Sequence, residues 1–252
     1  MDKKIAEIKM EFETAGNDQL ENLFAVYAND SRTGVTGLIH KYRKKIAALE
    51  QEKIRIFNMQ CFEREYEAQG FVCGIDEVGR GPLAGPVVAG AVILPRRCEI
   101  LYLNDSKQLS EKRRAELYGE IMEKAVAVGI GRIAPERIDE INILQATYEA
   151  MREAIDKLTV VPQILLNDAV TIPQVSIPQV PIIKGDEKSL SIAAASVVAK
   201  VTRDRLMKAY DQLMPEYGFA KNKGYGSADH IDAIRKYGPS PIHRTSFIKN
   251  FL

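Results

Sequence analysis

Residues 71–94 read FVCGIDEVGRGPLAGPVVAGAVIL. Two apolar runs, Phe71–Ile75 and Pro86–Leu94, flank a turn crowded with Gly and Pro, so the stretch predicts two strands joined by a short connection. Upstream the texture is different. Residues 1 to about 68 read as helical throughout, closing with a long run from Thr33 in which Val35, Leu38, Ile39, Tyr42, Ile46 and Leu49 recur at helical spacing, and Gly70 ends it. Downstream, further strands are expected at Ala125–Ile133, Gln163–Asn167 and Val180–Lys184. Helices are expected at Ser110–Lys124, with Ser110 as N-cap, and at Ile143–Leu158, Ser189–Met207 and Ala228–Tyr237. The repeated Ile-Pro-Gln-Val at 172–175 and 177–180 suggests an extended excursion or a hairpin at a sheet edge. Strands alternating with helices make this an α/β chain: a mixed sheet covered by helices, with residues 1–68 as an N-terminal helical extension and 69–252 as the main domain.

Composition narrows the chemistry. The 252 residues are 46% hydrophobic and 27% charged, enough for one sizeable core and an appendage. No stretch reaches the roughly 18 apolar residues of a membrane span, and the opening MDKKIAEIKMEFE alternates charge with apolar residues where a signal peptide is continuously apolar. A cytoplasmic location is expected. Three cysteines and three histidines, scattered along the chain, argue against a disulfide framework and against zinc. The 35 basic and 34 acidic residues nearly cancel, but residues 200–252 hold ten Lys/Arg against five Asp/Glu. A basic end beside an acidic remainder suits a protein that grips phosphates with one part and metal ions with another; a solvated basic face has the same signature.

Three apolar runs end in an aspartate: Phe71 to Asp76, Ile164 to Asp168, and Ile182 to Asp186, with Glu77 following Asp76. Taken singly, each aspartate is more often a cap for the turn that follows, and Asp186 in particular is placed to cap the Ser189 helix. Three such endings point instead to a shared crevice beyond the strand ends. Clustered carboxylates repel one another unless cations lie between them, and an all-oxygen set favours a hard ion, Mg²⁺ or Mn²⁺. The glycines of Val78-Gly-Arg-Gly-Pro-Leu-Ala-Gly85 allow close backbone approach to a ligand and equally fit a bare hairpin connection; their spacing matches no phosphate-binding loop.

Several longer stretches carry a family resemblance. They are Gly74 to Val88, Asn104-Asp-Ser-Lys-Gln-Leu-Ser110, Leu165-Leu-Asn-Asp168, Lys184 to Asp204, Asn222-Lys-Gly-Tyr-Gly226, and Pro239 to Phe247. Together, from about Phe71 to Phe247, the chain resembles the bacterial type 2 ribonuclease H family, and helical extensions like residues 1–70 resemble those of Gram-positive members. The resemblance implies the ribonuclease H-like fold, a five-stranded mixed sheet flanked by helices. It implies four catalytic, metal-binding carboxylates, Asp76, Glu77, Asp168 and Asp186, holding two divalent ions. It also implies an endonuclease that hydrolyses the RNA strand of RNA–DNA hybrids and cuts 5′ of ribonucleotides embedded in duplex DNA, leaving 3′-hydroxyl and 5′-phosphate ends. Main-chain groups of Gly79, Arg80 and Gly81 are the implied sensors of the 2′-hydroxyl, with Arg80 equally readable as a phosphate contact, and Tyr225 is the implied sensor of an RNA-to-DNA junction. One departure is Ala169 after Asp168, where many members have Gly.

Lys107, Lys184, Lys200, Arg203, Lys221 and Lys223 are candidate phosphate contacts, each as readily ordinary surface charge. Ala193, Ala194, Ala195, Ser196 and Ala199 predict a helix packed close on the sheet. The tail from Phe247 to Leu252 is expected to pack on the body, the other reading being a dock for a replication partner, and the protein is expected to act as a monomer. Two competing functions remain: a different two-metal nuclease or phosphatase of the same fold superfamily, and a non-enzymatic interaction protein with a degenerate acidic cluster.

Overall fold

The computed structural model describes residues 3–251, which divide into two compact units between Arg55 and Ile56. The first contains α1 (Ile5–Thr14), α2 (Asn17–Val26) and most of α3 (Thr33–Met59). Apolar residues one helical turn apart, Ile8 and Phe12 on α1 and Leu20 and Phe24 on α2, meet Val35 and Tyr42 of α3 in a common core. The Phe12 ring lies 5.9 Å from Phe24 and 5.2 Å from Tyr42, centroid to centroid.

The second unit begins with the last turn of α3 and with α4 (Cys61–Tyr66), and Gly70 ends the helical run as expected. Then come β1 (Val72–Val78), β2 (Val87–Ile93), α5 (Glu111–Lys124), β3 (Ala127–Ile133), α6 (Pro135–Asp156), β4 (Ile164–Asp168) and β5 (Gln179–Ile182). The order β3-β2-β1-β4-β5 makes one mixed sheet, antiparallel from β1 through β3 and parallel from β1 through β5. The 172–180 segment is the extended excursion of the two alternatives: β5 runs parallel to β4 at the sheet edge, where Pro181 is tolerated.

Helices α7 (Gly185–Lys188), α8 (Leu190–Leu213), α9 (Phe219–Asn222), α10 (Ala228–Tyr237) and α11 (Thr245–Ile248) complete the chain. Ser110 and Ser189 are the N-caps of α5 and α8, accepting from the main-chain N–H of Arg113 and Ile192. Asp186 therefore does not cap α8; it sits in the first turn of α7. Helix α6 is two helices broken at Asn142, which adopts φ 67° and caps the second with its side-chain oxygen.

Helix α6 covers one face of the sheet, and α5 with α8 the other. The approach of α8 is main chain to main chain. A Cβ on Gly74 would lie 2.1 Å from the Ser191 carbonyl carbon, and one on Gly90 2.6 Å from the Ala195 oxygen. Ala193, Ala194 and Ala195 are fully buried there, as their size predicts. Ile248 is buried, with Phe247 and Phe251 packed beside it, so the tail lies on the body; Leu252 falls outside the described residues. No helix among the described residues is long and apolar enough to cross a membrane.

Candidate active site

The sheet register sets the acids side by side. Ile75 pairs with Asn167 across the parallel β1–β4 ladder, so Asp76 and Asp168 occupy the next rung. Asp76 and Glu77 are not the end of β1, contrary to the sequence reading. The strand continues because β2 still pairs with it, Asp76 opposite Gly90 and Glu77 opposite Ala89. The crevice opens where β4 stops, one strand over. Asp168 Oδ1 accepts the Gly185 N–H at 2.8 Å, which ties the end of β4 to the turn carrying Asp186.

Burial and like charge act together here. Burial, then the charges of Glu77 and Asp168, push the Asp76 carboxyl well up. Burial does the same for Glu77, outweighing the guanidinium of Arg80, which lies 3.3 Å from Oε1. Burial, then the charges of Asp168 and Asp105, push Asp186 up to about 6. Glu77 Oε2 is buried with no hydrogen-bond partner among the described residues. Among those residues no three potential ligands converge into a ready-made metal cluster. Four oxygen-bearing acids with an orphaned oxygen and disfavoured negative charge fit a hard divalent cation.

Lys107 is a second cation of the cluster, beside Arg80. Burial works against its charge, yet Asp105, Asp186, Asp76 and Asp168 together hold the ammonium above its ordinary range. Asp105, itself buried, accepts the main-chain N–H of Lys107 at 2.9 Å. Sequence reasoning missed Asp105 because no apolar run ends in it; its signal lay in the Asn104–Ser110 stretch.

The turn after Glu77 is built by two buried arginines. Arg244 donates to the carbonyls of Gly79 (2.5 Å), Arg80 (2.8 Å) and Gly85 (3.0 and 2.8 Å). Arg203 donates to Pro86, Ala84 and Lys223 carbonyls at 2.9, 3.0 and 2.8 Å. Both are fully buried, so Arg203 is no phosphate contact: its guanidinium is occupied by the main chain. Gly79, at φ +91°, is obligatory, since a Cβ would meet Arg203 Nε at 2.3 Å. Gly81 is different. A Cβ there would meet only Tyr225 Cε1, at 3.9 Å. Half-exposed Tyr225 thus stands beside the turn that follows the acids.

The remaining candidate lysines have acidic neighbours of their own. Lys200 pairs with Asp204 at 2.8 Å, and the charge of Asp204 also acts on Lys223. Lys221 pairs with Asp229 at 3.0 Å, and exposed Lys184, the left-handed residue before α7, lies 3.9 Å from Glu187.

A family model described as ribonuclease HII matches residues 73–250, and one described as ribonuclease HII N-terminal domain matches residues 4–67. The chain is 64% identical over 250 residues to ribonuclease HII of Lachnoclostridium phytofermentans, covering 99% of this chain and 98% of that one. Among solved structures, ribonuclease H2 of Pyrococcus horikoshii matches at TM-score 0.61 and 28% identity, over 72% of this chain and 96% of that one. The ribonuclease HII of Archaeoglobus fulgidus, solved in complex with PCNA, matches at TM-score 0.59 and 27% identity, over 71% and 96%. With its five-stranded mixed sheet, its acids side by side on neighbouring strands and these relatives, the chain belongs to the ribonuclease HII family of ribonuclease H enzymes.

Proposed function

We propose that this enzyme hydrolyses the RNA strand of RNA–DNA hybrids and cuts on the 5′ side of ribonucleotides embedded in duplex DNA, leaving a 3′-hydroxyl and a 5′-phosphate. Asp76, Glu77, Asp168 and Asp186 hold two divalent ions, magnesium or manganese, which supply Lewis-acid stabilisation of the charge that develops at the scissile phosphate. The chain's own work is placement. Main-chain groups of Gly79, Arg80 and Gly81 read the 2′-hydroxyl, on a turn that Arg244 keeps rigid. The Tyr225 ring stacks on the sugar after the ribonucleotide and its phenol bonds the 2′-hydroxyl of the ribonucleotide itself, so that an RNA-to-DNA step is favoured. Lys107, Lys184 and Lys200 contact phosphates, and residues 1–68 add substrate or partner contacts without entering the chemistry. The enzyme acts as a monomer, and a chromosomal substrate supports a cytoplasmic location and a role in replication and repair.

The observation that carries this reading is contiguity: the strand bearing Asp76 and Glu77 runs into the turn held by Arg244, and a Cβ on Gly81 of that turn would lie 3.9 Å from the Tyr225 ring. The test is cleavage with Mg²⁺ or Mn²⁺ of three duplexes: all DNA, DNA with one ribonucleotide, and a continuous hybrid. Cutting of both ribonucleotide-bearing duplexes, with the single site cut on its 5′ side, is expected. Equal cutting of all-DNA duplex would replace this reading with that of another two-metal nuclease.

A further inference from the structure

The main-chain carbonyl of Tyr225 ends a buried hydrogen-bond chain that runs through two histidines. His230, in the first turn of α10, and His243, just before α11, are both buried, and their Nε2 atoms are 2.9 Å apart. His243 Nδ1 lies 2.8 Å from the Ser240 main-chain nitrogen and 2.7 Å from its hydroxyl. His230 Nδ1 lies 2.8 Å from the Tyr225 carbonyl oxygen.

These partners leave one arrangement of protons. A main-chain N–H only donates, so His243 Nδ1 accepts and the neutral ring carries its proton on Nε2. A carbonyl only accepts, so His230 Nδ1 donates and its Nε2 is bare, ready to accept from His243. Each ring is neutral, in opposite tautomers. A proton added to His230 would set two N–H groups against each other. Burial holds both imidazoles below their ordinary range, His243, also facing His230, at about 4. The rings are enclosed by Tyr217 and Phe219, and the Tyr217 hydroxyl is occupied by the Gly238 carbonyl.

His243 is also anchored through its backbone. It bridges Ala84, flanked by bonds from Gly85 N to Ile242 O and from Arg244 N to Leu83 O, each 2.8 Å. Leu83 N in turn donates to Gly224 O at 2.8 Å. The strip leading out of the Gly79–Gly85 turn and the turn carrying Tyr225 thus share this histidine.

We infer that His230 and His243 are positioning residues for ribonucleotide recognition, a tautomer-matched neutral pair that fixes the Tyr225 main chain, and with it the ring, against the Gly79–Gly81 turn. The inference rests on the proposed role of Tyr225.

Two measurements on the full chain test it. Nitrogen NMR of the imidazoles at neutral pH should show His230 protonated on Nδ1 and His243 on Nε2; the reverse pattern or a cationic ring overturns the inference. Second is the ratio of cutting at a single embedded ribonucleotide to cutting of a continuous hybrid. His230→Phe keeps an aromatic ring and should lower that ratio about five-fold, the factor carried by one lost hydrogen bond, while His230→Asn, which retains a δ donor, should restore most of it. An unchanged ratio in His230→Phe, with a lowered one in Tyr225→Ala, overturns the pairing role. An unchanged ratio in Tyr225→Ala as well sinks the reading of Tyr225, and the inference with it. Should His230→Phe not fold, His243→Asn is read the same way: it removes the shared ε-proton and leaves an acceptor for Ser240, and an unchanged ratio there overturns the inference.

Discussion

Arg244 reaches back 165 residues to the carbonyl of Gly79, and the same guanidinium takes the carbonyls of Arg80 and Gly85. Arg244→Ala leaves three carbonyls without that donor. An unsatisfied buried acceptor costs about 1–3 kcal/mol, so the variant should lose at least about 3 kcal/mol in urea denaturation. Arg244→Lys supplies a point charge in place of a fork and should regain less than half of the loss.

The acids should separate chemistry from binding. Asp76→Asn and Asp186→Asn should each lower cleavage in Mg²⁺ by at least about a hundred-fold, the scale of losing one preorganised electrostatic group. Duplex affinity should stay close to normal in a gel-shift assay, because phosphate contacts supply most of it. Full activity in either variant would remove that carboxylate from the site.

The pH dependence of stability has a defined sign. Asp186 keeps its proton to about pH 6, above its ordinary value of 3.8, so between those values the folded chain holds a proton the unfolded chain has released. Folding therefore loses stability as pH rises through that window. Asp186→Asn cannot ionise, and without metal its Tm relative to the wild type should rise from about pH 4 to 6 and then level off. The two buried histidines act oppositely, costing stability as pH falls below about 6.5, but they cancel in this comparison.

Two glycines in one turn should respond differently. Gly79→Ala drives a Cβ to 2.3 Å from Arg203 Nε at a left-handed φ and should destabilise the fold. Gly81→Ala meets nothing nearer than 3.9 Å. It should melt normally yet cut ribonucleotide-containing duplexes more slowly. Normal cutting by Gly81→Ala would remove this position from substrate reading.

The cut point for shortening the chain follows from packing. Ile56 and Met59 are buried with the sheet-facing residues of α8, Gln60 donates to the Cys98 carbonyl, and Glu63 accepts from Ser189 and Ser191 at the start of α8. A chain starting at Ile56 should fold and keep the cleavage position and metal requirement. One starting at Glu67 loses Ile56 and Met59, each worth about 1.5–3 kcal/mol, and should be less stable by at least about 3 kcal/mol. If the Ile56 version folds and cannot cut at saturating substrate, the first unit belongs to the active site.

All five strands, α5, α8 and the part of α6 after Asn142 were legible, because apolar periodicity and the caps Ser110 and Ser189 are local signals; the part of α6 before Asn142 was not. The convergence of Asp76 with Asp168 was foreseen from repetition alone. Long-range hydrogen bonding was not. Arg203 reads as surface charge until its partners, 117 and 119 residues away, are known. The placement of Asp186 on α7 depends on left-handed Lys184, which no local preference announces. The neutral state of His243 likewise needs the position of Ser240 and His230.

Because Gly74 and Gly90 bring the α8 main chain directly onto the strands, no layer of deformable side chains separates them at those points. The depth of Asp76 in the sheet is gauged by covalent dimensions, which scarcely change when side chains elsewhere repack. On the opposite face that kind of stop lies out on β3, where a Cβ on Gly129 or Gly131 would come 1.9 Å from the Ala154 or Ala150 oxygen of α6, while Ile75, Ala89 and Leu165 meet α6 through side-chain packing. Substitutions at those side chains of β1, β2 and β4 can be absorbed by repacking with little transmitted to Asp76 and Asp168, so these strands should tolerate mutation more readily on their α6 side than on their α8 side.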